Sequence, residues 1–252
     1  MNDRSQEVVQ SAGWPDCATL IRPDTKYRAG SRPSSTHVPY RKDSTMHRDC
    51  LTTVWRNRTC HVIAEEYSYK SEAYYTILAH ELAGSQVCPS SRSVLDAYVV
   101  PVCLEHARKA GVRVADWNIS QGYVPLPAII YGINYFANTS EYGIVQNNQQ
   151  SQEFVKHITN KGKYPFCYQR LMDSSTLYSC TAICGKTTEA NVEITECARK
   201  IYDLFSIPLV RMNFIRNDGT YTLSSLAPTR YSRLSDKERS ILCAFRDHQE
   251  FL

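Results

Sequence analysis

From Thr59 onward the chain alternates short apolar runs with helical stripes. Thr59-Cys60-His61-Val62-Ile63-Ala64 reads as a short strand. Tyr74, Ile77, Leu78 and Leu82 then recur at helical spacing, which gives one apolar helix face, and Gly84 supplies the stop. Ser90-Ser91-Arg92-Ser93 opens a second helix through Val94, Leu95, Tyr98 and Val99; Pro101 kinks or restarts it, and Gly111 ends it. Val112 to Ala115 reads as the next strand, so strand, helix and strand suggest an α/β unit with a parallel pair.

Further along, Ala128 to Phe136 is the pattern of a buried strand. Gln146 to Gln152 is a loop or the entry to a helix carrying Phe154, Val155 and Ile158, and Pro165 to Leu171 and Leu177 to Cys184 are strand-like. Ile194, Cys197, Ala198, Ile201, Tyr202 and Phe205 form a helix face, with Thr187 or Thr188 available as N-cap and Pro208 as breaker. Leu209 to Ile215 and Tyr221 to Leu226 flank Asn217-Asp218-Gly219, a hairpin signal, because Asp-Gly tolerates the left-handed backbone of a tight turn. Ser235 with Glu238 predicts a capping box and a last helix through Ile241, Leu242 and Phe245. The fold class expected is α/β (mixed α+β): one main domain over 51–252, with a mixed sheet flanked by helices. Residues 1–50, rich in Ser, Thr, Arg, Asp and Pro, bury too little apolar surface to offset ordering and are expected to form a disordered leader.

Composition narrows the function classes more than it identifies one. Of 252 residues 42% are hydrophobic, enough for a core, and no run approaches the roughly 18 apolar residues of a spanning helix. A net charge of +4 without a Lys/Arg run calls for neither nucleic acid nor a membrane surface. The ten cysteines are spread thinly, mostly inside apolar runs, and Met1-Asn2-Asp3-Arg4 opens no apolar signal segment. A reduced, cytoplasmic protein is expected.

The chemical motifs are mostly weak. Cys184-Gly185-Lys186-Thr187 resembles the tail of a phosphate loop, but the position five before Gly185 is Cys180, so no glycine cradle forms and a strand-to-helix turn is expected instead. Cys180 and Cys184 lack the second pair of a structural zinc site, and no metal ligand is assigned. A Cys/His nucleophile is open on abundance alone. The most unusual segment is Glu65-Glu66-Tyr67-Ser68-Tyr69-Lys70-Ser71-Glu72-Ala73-Tyr74-Tyr75, between a strand and a helix, where ligand sites of α/β proteins often lie. Its tyrosines line a pocket, or Tyr74 is core and Ser71 a plain N-cap; both readings stand.

At this segment the chain resembles a known family. Tyr67-x-Tyr69-x-Ser71-x-x-Tyr74-Tyr75-x-x-x-Leu78-Ala79, then Gly84 and Cys88-Pro89-Ser90, resembles the N-terminal domain that precedes RimK-like ATP-grasp ligases. Gly185-Lys186-Thr187, Ala198-Arg199-Lys200 through Phe205, Pro208-Leu209-Val210-Arg211, Leu226-Ala227-Pro228 and Leu234 continue the resemblance in order. Ala73 stands where the family commonly has glycine, and about 115–180 is poorly matched. The resemblance implies association with ATP-dependent ligases that join an amine to a carboxylate, and that the ATP-grasp domain itself would begin near Leu252. It therefore implies an accessory or substrate- and partner-binding domain that is not catalytic by itself. ATP and magnesium would then belong to a separate ATP-grasp ligase as partner, with a small peptide or amino-acid-like substrate. Candidate binding residues are Tyr67, Tyr69, Ser71, Tyr74, Tyr75, Lys186 and Arg211; no catalytic residue is assigned. A thiol-dependent transferase or hydrolase is the alternative, and a remnant of a longer ligase a third.

Overall fold

A computed structural model describes residues 51–133 and 142–247. The expected leader, 1–50, and the end of the expected strand at 134–136 lie outside the described residues. Among those described, the fold is mixed α+β, as expected, but its strands form three sheets rather than one.

The first sheet is mixed, in the order β1 (Thr52–Arg56), β2 (Thr59–Ile63), β3 (Gln86–Cys88). β1 and β2 are antiparallel, and β3 lies parallel to β2 after the crossover helix α1 (Glu72–Leu82). The parallel partner expected at Val112 to Ala115 is thus replaced by a nearer one. Gly84, left-handed at φ 75°, ends α1 sharply and sends the chain straight back beside β2. Val112 to Ala115 runs instead beside the strand that carries Leu223, where Ala115 donates to the Leu223 carbonyl and Leu223 to that of Arg113. α2 (Ser91–Tyr98) and α3 (Val100–Lys109) follow, split where Pro101 restarts the helix, with Ser90 capping α2.

The remaining two sheets are antiparallel. One holds β4 (Asn118–Ser120), β7 (Phe166–Arg170), β5 (Ala128–Gly132) and β6 (Tyr142–Val145), in that order, backed by α4 (Asn148–Ile158). Ala128, Ile130 and Phe166 face α4, and Ile129, Tyr131, Cys167 and Gln169 take the opposite side, as a period of two requires. The other holds β8 (Thr176–Ile183), β9 (Leu209–Asn217) and β10 (Thr220–Ala227), with α5 (Val192–Phe205) between its first two strands. Val210, Met212 and Phe214 pack in the main core with Val94, Leu104, Ile194 and Ile201 from α2, α3 and α5.

Local signals explain most ends. β9 and β10 join through Asp218-Gly219, both left-handed at φ 48° and 81°. α5 is capped by Asn191, whose Oδ1 accepts from Glu193 and Ile194, and not by Thr187 or Thr188. The capping box of Ser235 and Glu238 opens α6 (Asp236–Arg246). Its Leu242 and Phe245 form a second core with Val54, Ile63, Ile183, Leu209 and Leu234.

One contact in the β4–β7 sheet allows a direct test. A Cβ on Gly143 would stand 2.5–2.6 Å from ring atoms of Phe154 on α4. Gly143→Ala is therefore expected to lower stability by about 1–3 kcal/mol through overpacking. Phe154→Leu combined with it should recover part of that loss, read as a non-additive pair in denaturant titrations. Additive losses would mean the ring does not seat on Gly143.

Candidate functional site

The faces of the two antiparallel sheets meet through a buried polar network. In β9 and β10 the register pairs Leu223 with Phe214 and then Ser225 with Asn213, which leaves Ser224 as the extra residue of a bulge. A bulge re-aims the side chain it carries. Here the Ser224 hydroxyl donates to Gln169 Oε1 of β7 at 2.5 Å, and Gln169 Nε2 donates to the Ser224 carbonyl at 2.8 Å. With that proton committed, the Tyr131 hydroxyl, 2.7 Å from Ser224 Oγ, is the donor of their bond. Next to it, Asn213 Nδ2 donates to Ser225 Oγ at 2.9 Å and Asn213 Oδ1 accepts from Ser179 at 2.8 Å. Tyr131, Gln169, Ser224 and Ser225 are all fully buried. Burial pushes the Tyr131 phenol well above its ordinary range, opposed by its bonds to Ser224 and Ser225. Hydroxyl and amide groups thus satisfy one another across the sheets, as buried polar groups must.

Arg211 stands two residues before Asn213 on β9 and so shares its face, opposite Thr181 and Ala227. It is half-buried, and its Nε is buried with no hydrogen-bond partner among the described residues. Burial pulls the guanidinium below its usual range; the charge of Arg233 adds to this, and Tyr142 of β6 opposes it. Arg233 ends a 3-10 turn, Tyr231–Arg233, which is held from the other side: Tyr231 N–H donates to Glu65 Oε1 at 2.5 Å. The result is a half-buried guanidinium with an unpaired Nε at the edge of a neutral network.

The seven residues singled out from sequence fall in three places. Tyr67 is fully buried: its hydroxyl accepts from Ala64 N–H at 2.9 Å and donates to the Val62 carbonyl at 3.1 Å, closing the turn after β2. Ser71 caps α1 by accepting from Tyr74 N–H. Tyr74 packs against the core, its ring edge-on to that of Tyr75, which is 60% exposed, and Tyr69 lies beside Lys70. Lys186 sits in the turn after β8, its backbone bonded both ways to Ile183. That turn leads from strand to helix, as expected. Its Gly185 is left-handed at φ 78°, and a Cβ there would lie 3.0 Å from Tyr202 Cβ, so the turn lies flat on α5. Arg211 is the candidate that borders the polar network. Gln169, Asn213, Tyr131, the Ser224-Ser225 pair and Arg233 were missed by sequence reasoning. The signal for Gln169 and Asn213 was a polar residue inside an otherwise apolar strand run.

Seven of the described thiols give a nucleophile no help. Burial pushes Cys167, Cys180, Cys184 and Cys197 up to about 12, and Cys60, Cys88 and Cys103 upward as well. A nucleophilic cysteine needs the opposite shift.

Solved structures share part of this fold. The chain is similar to a D-alanine–D-alanine ligase from Helicobacter pylori, at 14% identity over 68% of this chain and 65% of that one, with a TM-score of 0.53. A RimK domain ATP-grasp protein from Sphaerobacter thermophilus matches at 10% identity over 69% of this chain and 76% of that one, with a TM-score of 0.52. The chain thus spans just under two thirds of the Helicobacter pylori ligase's length. What these likenesses define is the ATP-grasp fold. Residues 137–244 match the family described as RimK-like ATPgrasp N-terminal domain, so the resemblance drawn from sequence is shown over that segment. No curated protein matches the sequence.

These findings correct the functional expectation. A non-catalytic accessory domain, preceding an ATP-grasp domain that lies elsewhere, does not describe a chain that itself carries the ATP-grasp fold over more than two thirds of its length. The expectation failed because the two antiparallel sheets are assembled from distant segments, and the stretch 115–180 that was set aside as poorly matched supplies one of them. No described helix is long and apolar enough to cross a membrane.

The fold implies ATP and magnesium, and the residues present differ in how they suit the two. A half-buried arginine with an unpaired Nε suits an anion. Magnesium takes six oxygen ligands, carboxylates prominent among them. The network between the sheets offers amides and hydroxyls only, and among the described residues no group of three or more His, Cys, Asp or Glu could hold a metal ion.

Proposed function

We propose that this chain is a nucleotide-binding protein of the ATP-grasp carboxylate–amine ligase type, with Arg211 at its anion site. One observation carries this: Arg211, on the face of β9 turned to the other sheet, keeps a buried Nε unpaired. An anion at that point would pair it and relieve the burial of charge without a counter-charge. Ligases of this type join an amine to a carboxylate using ATP; Arg211 is placed to stabilise negative charge on the phosphates. The substrate is a small peptide or amino-acid-like carboxylate. A cytoplasmic location belongs to the same proposal and is supported by eight free thiols among the described residues.

The test is a calorimetric titration with ATP. Wild type is expected to bind, and Arg211→Ala to weaken binding by about 10- to 100-fold, the worth of charge-assisted hydrogen bonds lost from a half-buried group. Arg211→Lys should restore only part of this, since an ammonium lacks the planar fork. Unchanged affinity in Arg211→Ala, with its melting temperature also unchanged, would remove Arg211 from the site.

A further inference from the structure

On the other side of the β8–β10 sheet lies an open cleft of about 430 Å³, in the lower part of the roughly 300–1,000 Å³ range of small-molecule pockets. Phe214, in its floor, leaves β9 on the face opposite Arg211, as alternation along a strand requires. Val112, Cys197 and Tyr221 complete that floor; the first two are buried with Phe214, and Tyr221 is half-buried. The Tyr221 ring stands edge-on to those of Tyr178 and Phe214, with centroids 5.3 and 6.1 Å away, and the Arg216 guanidinium lies over it at 5.6 Å. The apolar wall is thus fixed before any ligand arrives.

The rim is charged, with both signs present. Glu193, Glu196 and Lys200 recur at i, i+3 and i+7, so one stripe of α5 borders the cleft and faces the segment Gly111 to Arg113. Lys200 is already committed: its Nζ is 2.9 Å from Glu196 Oε1 and donates to the Gly111 carbonyl at 3.1 Å, which ties α5 to that segment. Arg113 and Glu193 are not held in this way. Their charged atoms stand 3.9 Å apart, beyond the roughly 2.7–3.2 Å of an N–H···O bond, and both side chains are 58% exposed. Such a pair contributes little to the fold. A guanidinium and a carboxylate therefore stand side by side over an apolar floor. A simple anion or cation would match one of them and leave the other unmet, and a neutral apolar molecule would use neither.

We propose that this cleft binds a small zwitterion, an α-amino acid with an apolar side chain. Its carboxylate meets the Arg113 guanidinium, its ammonium meets the Glu193 carboxylate, and its side chain covers Val112, Phe214 and Tyr221. The inference goes beyond the nucleotide reading and shares no residue with it, so a failure to bind ATP would leave it standing.

L-leucine and L-phenylalanine are titrated into the isotope-labelled full chain, with the amide resonances of Gly111, Val112 and Arg113 as readout. At least one is expected to saturate below about 10 mM, an affinity in reach of two exposed charge contacts and one buried side chain. N-acetyl-L-leucine and L-leucinamide each lack one charge, and glycine lacks the side chain; each is expected to bind at least about tenfold more weakly. Saturation by neither amino acid overturns the inference, and so does equal binding of the acetylated or amidated analogue. Arg113→Ala and Glu193→Gln should each weaken leucine binding by about tenfold at an unchanged melting temperature, since both positions are exposed. Unchanged affinity in either variant overturns the inference. If a variant melts early, the analogue series on wild type decides.

Discussion

Gln169→Glu is expected to make folding steeply dependent on pH. Gln169 is fully buried, and it both donates to and accepts from Ser224. A protonated glutamic acid can do the same with one O–H and one carbonyl oxygen; an ionised one can only accept, and it would face the Ser224 carbonyl with no proton. Burial then raises the folded-state pKa above the unfolded value of about 4.3, by up to about 3–5 units. A carboxyl raised in this way binds protons more tightly folded than unfolded. Its stability is retained below about pH 4.3 and lost as pH rises toward the folded-state value, reaching about 4–7 kcal/mol in the extreme. Denaturant titrations of variant and wild type at pH 4.5 and 7.5 measure this as a difference of differences. Gln169→Leu is the control: it orphans the Ser224 hydroxyl and carbonyl at every pH, with a loss of about 1–3 kcal/mol per group and no added pH dependence. A glutamate variant as stable as wild type at pH 7.5 would show that solvent reaches the network.

Tyr67 carries the second large effect, and it separates a fold residue from a ligand residue. The ring is fully buried in the main core and the hydroxyl holds Ala64 and Val62. Tyr67→Ala removes both and should cost about 3–5 kcal/mol. Tyr67→Phe keeps the ring but leaves the Ala64 N–H without its partner, at about 1–3 kcal/mol. Tyr75→Ala, at an exposed ring on the next helix, should stay within about 0.5 kcal/mol of wild type. If Tyr67→Phe keeps full stability but loses ATP binding, Tyr67 belongs to the site after all.

The class to which the site belongs decides what such variants mean. Sequence reasoning placed binding candidates on the Tyr-rich turn because its composition is unusual, yet Tyr67 and Ser71 there serve the chain's own backbone. The polar network was hidden for the opposite reason. Gln169, Asn213 and Ser224 are ordinary polar residues in ordinary strands, and they matter only because a bulge turns Ser224 toward a strand that is 55 residues away in sequence.

What the sequence by itself determined is local: the helix stripes, the Ser235 capping box, the Asp218-Gly219 hairpin, the break at Pro101 and the strand-to-helix turn at Gly185. Each depends on residues within a few positions of one another, so propensity and spacing suffice. Only the tertiary structure decided that the strands divide into three sheets, that Gln86–Cys88 rather than Val112 to Ala115 pairs with Thr59–Ile63, and that Arg211 keeps a buried Nε unpaired beside a neutral network. Sheet pairing joins segments of any separation, and its register turns on which faces find partners to bury against. No local pattern encodes that choice.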